Sequence, residues 1–130
     1  DVKSLEALHT KFKAALNDAA AEENARWKNK GPVSVSPELV GLRPAGKTPE
    51  SSAIVQTAIA VSKSLNLTVH LGEGSTDSNV PMNLGIPAIT IGGGGAGTGA
   101  HSLNETYDTT DSWKGTQRAL LLVLALENKP

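Results

Sequence analysis

Residues 67–105 read LTVHLGEGSTDSNVPMNLGIPAITIGGGGAGTGAHSLNE. Leu67 to Leu71, with Val69 inside it, predicts a short strand. Thr76 or Asp77 is placed to cap a short helix over residues 78–84, which Gly85-Ile86-Pro87 ends. Ala88 to Ile91 is a second run of small and β-branched residues and predicts a second strand. Gly92 to Gly99 then holds six glycines in eight residues. Ordering such a run costs roughly 1–2 kcal/mol per residue in backbone entropy. Two readings therefore stand: a mobile loop, or a loop that passes close to a ligand or needs positive φ.

The flanks extend this alternation. A helix is expected from Ser51 or Ser52 to about Leu65, through Ile54, Val55, Ala58, Ile59 and Val61. Another is expected from Asp111 or Ser112 to Glu127, apolar on most sides and so expected to be buried. Upstream, Leu5, Leu8, Phe12, Ala15, Leu16 and Ala19 recur at helical spacing within residues 4–27, and Gly31-Pro32 stops that helix. Its apolar face is expected to pack on a sheet. Val33 to Leu42 alternates weakly around Pro37 and predicts an irregular edge strand. Residues 43–49, with Pro44, Gly46 and Pro49, are rich in breakers and mark the candidate domain boundary. Helices alternating with short strands give the rhythm of an α/β sheet. Two strands of parallel sheet, 67–71 and 88–92, do not close a core alone, so further strands are expected from elsewhere.

Composition bounds what the chain does. It has 130 residues, net charge −1 and no cysteine, which excludes disulfides, cysteine nucleophiles and thiolate metal sites. The near-zero charge argues against nucleic acid held through its phosphates. No run of 18 apolar residues exists to span a membrane. Cytoplasm is the expected compartment, and the lack of cysteine leaves export open. The opening Asp1-Val2-Lys3-Ser4 has no starting methionine, so a processed product or a fragment is expected.

Three histidines are present. His9 reads as surface and His70 as structural. His101 follows the glycine loop beyond a predicted strand end, where open α/β sheets place ligands. An imidazole there suits zinc, with a carboxylate such as Glu105 orienting the ring. The glycine run does not read as a phosphate loop, because no lysine occurs between Lys63 and Lys114. Neither Ser75 nor Ser102 sits in a Gly-x-Ser-x-Gly elbow. Asn66-Leu67-Thr68 and Asn104-Glu105-Thr106 match the N-glycosylation pattern, with nothing to indicate secretion.

The blocks Gly72 to Pro81, Gly85 to Ala88, Gly92 to Gly94 and Gly99 to Glu105 together resemble the C-terminal part of the M20 zinc metallopeptidases. That family spans di- and tripeptidases, carboxypeptidase G-type enzymes and amidohydrolases or deacylases. Residues 1–46, ending in Arg43-Pro44-Ala45-Gly46, resemble the end of its smaller lid domain. The resemblance implies an α/β chain. Residues 1–46 would close a ferredoxin-like lid or dimerisation domain, and residues 47–130 would form the C-terminal part of a mixed-sheet catalytic domain. It implies two zinc ions in the parent enzyme, with cobalt or manganese as substitutes. Short peptides would be the substrate, cut by metal-activated water in the manner of an aminopeptidase, dipeptidase or tripeptidase. A homodimer would form through the lid region. Transferred residue by residue, His101 is the metal ligand, Arg43 holds the substrate carboxylate, Ser75 and Asn79 line the substrate site, and Glu105 supports His101. No catalytic residue is assigned. The family's His-x-Asp block, its Glu-Glu pair and its further acidic ligand have no counterpart, since Glu22-Glu23 lies in the first helix. The chain alone is therefore expected to be inactive. The alternative reading is a structural or dimerising fragment whose interface is helix 4–27.

Overall fold

The computed structural model describes residues 1–28 and 31–127. Helix α1 spans Val2–Trp27. It starts earlier than the apolar spacing suggested because Asp1 caps it, accepting from the Ser4 backbone N–H at 2.9 Å. At its far end Asn24 imitates a strand. Its amide donates to the Val33 carbonyl at 2.9 Å and accepts from the Val33 N–H at 2.7 Å. None of the residues of α1 is buried.

Helix α2 (Ala53–Ser64) and helix α4 (Trp113–Glu127) pack on each other and supply the core. Val55, Ala58, Val61 and Leu122 are its buried apolar side chains. Each contributes roughly 1.5–3 kcal/mol relative to exposure, less for the alanine. Asn66 ends α2 in the left-handed region at φ 55°. The Leu67 N–H reaches back to Ser62 O at 2.9 Å, and the Asn66 N–H to Lys63 O at 3.0 Å. This is the Schellman closure of a helix. Helix α3 (Asn79–Asn83) closes in the same way, with Gly85 at φ 77° and Ile86 N–H on Pro81 O at 2.9 Å. The expected burial of α4 on most sides is corrected. Gly115 and Leu122 are its buried residues, whereas Leu120 and Val123 are exposed. With α2 as its single helical neighbour among the described residues, one face is covered.

The strands differ from the sequence reading. Among the described residues, 33–42, 67–71 and 88–91 enter no ladder. Their apolar patterns suit a sheet, but a strand exists only where a neighbour takes its hydrogen bonds. The sheet that does form is an antiparallel hairpin of β1 (Ala96–Thr98) and β2 (Thr106–Asp108). Its register pairs Gly97 with Tyr107 and sets Thr98 opposite Thr106, whose hydroxyls meet at 2.7 Å. Gly94, Gly95 and Gly99 take positive φ of 90°, 64° and 64°, so the glycine run turns tightly into and out of β1. A Cβ on Gly95 would lie 2.5 Å from the Tyr107 hydroxyl. The run is fixed to the rest of the fold. Tyr107 donates to Gly94 O at 2.9 Å, Arg118 donates to Gly92 O, and the Gly93 carbonyl rests on the bare Cα of Gly115. Past the hairpin, the Thr110 backbone N–H and then its hydroxyl hold the Asp108 carboxyl below the usual carboxylate range.

The described fold is thus a small α plus β arrangement with a short antiparallel sheet. None of its described helices is long and apolar enough to cross a membrane.

Candidate functional site

The loop from Arg43 to Thr48 is laid across α3 and stitched to it by side chains. Asn79 and Asn83 stand one turn apart on the same face of α3. Asn79 Nδ2 donates to Pro44 O at 3.1 Å, and Asn83 Nδ2 donates to Ala45 O at 3.0 Å. Gly46 passes so close that a Cβ there would sit 2.4 Å from the Met82 Cβ. The Thr48 hydroxyl closes the stitch, donating to Ala88 O at 2.6 Å and accepting from the Ala88 N–H at 3.0 Å.

This loop carries Arg43 to the turn before α3. Arg43 Nη1 donates to the Ser75 carbonyl at 3.0 Å and to its hydroxyl at 3.2 Å. Arg43 Nη2 meets Asp77 Oδ1 at 3.1 Å. The turn is itself well fixed. Asn79 Oδ1 accepts the Thr76 N–H at 3.0 Å, so Asn79 serves the turn and the loop with opposite ends of one amide. The hydroxyls of Thr76, Ser78 and Thr90 form a triangle with sides of 2.6, 2.7 and 2.8 Å. That triangle ties the turn to the segment after Ala88.

Arg43, Ser75 and Asn79, three residues singled out in the sequence, therefore share one small surface. Asp77 joins them. The sequence offers it as a helix cap and as a member of the Gly72 to Pro81 block, without giving it a role of its own at the site. Asn83 and Thr48 were also missed, and the four-residue spacing of Asn79 and Asn83 was the available clue. The guanidinium keeps N–H groups beyond those bonded to Ser75 and Asp77. Its side chain is 46% exposed, so solvent reaches part of it. A planar cation fixed on one edge is suited to a carboxylate or another flat anion.

His101 and Glu105 stand elsewhere, in the turn joining β1 to β2. His101 is exposed and sits in the left-handed region at φ 63°, a conformation costly for a residue with a Cβ. The turn is held by Ser102, whose N–H and hydroxyl both reach Gly99 O at 3.1 and 2.7 Å. Among the described residues the Glu105 carboxylate is not hydrogen-bonded to the His101 ring; Glu105 joins the turn through its backbone N–H on Ser102 O at 3.2 Å. No cluster of three or more histidine, aspartate or glutamate side chains suited to a metal occurs among the described residues. Zinc takes four ligands as a rule and at least three from protein in a catalytic site.

No protein-family model matches this chain, and no curated protein matches it in sequence.

Proposed function

We propose that this chain is the C-terminal third of an M20-type zinc metallopeptidase. The parent enzyme would hydrolyse peptide bonds in short peptides, with Arg43 as the anchor for the substrate's carboxylate. One observation carries the reading. Side chains and backbone bring Arg43 to Ser75 and Asn79 across more than 30 residues of chain. This is the constellation that the resemblance assigns to substrate binding. Arg43 contributes a fixed positive charge, Ser75 and Asn79 hold it in place, and His101 would give one imidazole to zinc. The remaining metal donors and the general base would come from outside these residues.

A second reading rests on α1. A 26-residue helix with no buried residue favours an interface, and in the proposed parent that interface would join two copies through the lid region.

The hydrolysis reading is tested in a polypeptide that carries this sequence together with the His-x-Asp and Glu-Glu blocks. There His101→Ala should lower peptide hydrolysis by orders of magnitude and release bound zinc, read by elemental analysis. Arg43→Ala should raise KM for peptides with a free carboxylate and spare amidated ones. Unchanged turnover and zinc content in the His101 variant would remove the metal assignment. Equal losses on both substrate types would remove the anchor.

A further inference from the structure

The Arg43–Asp77 pair is unusual for its exposure. Asp77 makes a 3.1 Å contact with Arg43 Nη2, yet its side chain is 101% exposed. No other hydrogen bond holds that carboxylate among the described residues. Ser75, by contrast, accepts from Nη1 through both its carbonyl and its hydroxyl. The guanidinium thus has one edge set by the turn and another met by a loose, solvated acid. Ion pairs of this exposure are weak, because water competes for both partners and the side chains lose entropy on pairing. A carboxylate arriving from solvent can take Asp77's place without disturbing Ser75.

We propose that Asp77 sets the specificity of the Arg43 anchor: its carboxylate occupies the guanidinium until a ligand carboxylate displaces it, and it then disfavours ligands with a second negative charge beside the first. This rests on the reading of Arg43 as a carboxylate anchor. The preferred ligand is a monoacid whose neighbouring atoms are neutral or cationic. A displaced Asp77 stays within a few ångströms of the bound anion, since it lies two residues from Ser75 on the same turn. It would attract an ammonium group there and repel an acidic side chain.

Asp77→Asn keeps the shape and removes the charge. Isothermal titration of the 130-residue chain with N-acetyl-L-alanine and N-acetyl-L-aspartate reads both parts of the proposal. The monoacid should bind the Asn variant roughly 1.4- to 5-fold more tightly than wild type, the range set by an exposed ion pair. The diacid should gain about fourfold more than that, from relief of a like charge about 5 Å away in water. Equal affinity of wild type and variant for the monoacid would overturn the displacement. Weaker binding by the variant would overturn it too and would make Asp77 a positioning residue for Arg43. Equal gains for the two probes would overturn the charge selection. If neither protein binds either probe, the anchor itself fails, an outcome separate from the other three.

Discussion

Residues 43–48 and residues 33–42 are adjacent in sequence and opposite in how they are held. From Arg43 to Thr48, four of six residues hydrogen-bond to partners 32 or more positions away. From Val33 to Leu42, the hydrogen bonding among the described residues is the pair of bonds between Val33 and the Asn24 side chain. The first stretch gains its shape from side-chain amides and a hydroxyl that replace a missing ladder. The second has no such replacements, and Leu39, Val40 and Leu42 stay exposed. Helix α1 shares that condition. Its Leu5, Leu8 and Phe12 line an open groove of about 630 Å³ together with Leu39 and Leu42. Order in this molecule thus follows specific polar pairing, and apolar patterning alone does not secure burial.

The contrast can be broken by matched truncations. Leu122→Ala, in the α2–α4 core, should cost about 2–5 kcal/mol, because it removes a buried side chain from between the two helices. Leu8→Ala, on the open face of α1, should stay within about 0.5 kcal/mol. Urea unfolding of both variants checks this. A Leu8 variant as unstable as the Leu122 variant would mean that the face of α1 is covered in solution. Between these extremes lies Gly46→Ala. Its new Cβ meets Met82 Cβ and the Asn83 backbone, so the loop must lift from α3 at about 1–3 kcal/mol. The same variant should weaken carboxylate binding, since Arg43 rides on that loop. Full affinity in Gly46→Ala would show that the stitch does not position the anchor.

The helices were legible in the sequence because their signal is local. Three- and four-residue spacing marks α1, α2 and α4, and Gly85 marks the end of α3 through its positive φ. The strands were not legible in the same way. Residues 67–71 and 88–91 carry the right residue types, but pairing depends on a neighbour that no local pattern supplies. The β1–β2 hairpin was hidden because glycine reads as loop whether it is mobile or is tightly turned against Tyr107 and Gly115. At the candidate site, Arg43, Ser75 and Asn79 were named by the family resemblance and by no local pattern; in the fold Arg43 hydrogen-bonds Ser75, and Asn79 holds the neighbouring Pro44 carbonyl. Asp77 was legible as a cap and as part of the resembling block, but its pairing with Arg43 was not, because an exposed acid in a turn is ordinarily solvated. The support expected from Glu105 for His101 depended on a side-chain direction that four-residue spacing in a loop does not fix.

The central claim is that Arg43 is held ready for a carboxylate. Its most direct test is a titration of the 130-residue chain with N-acetyl-L-alanine and with N-acetyl-L-alaninamide, repeated on Arg43→Ala. The account predicts saturable binding of the acid, little or none of the amide, and at least about a tenfold loss of acid binding in the variant, as befits a charge-assisted bidentate contact. Equal binding of acid and amide, or full acid binding without Arg43, would contradict it.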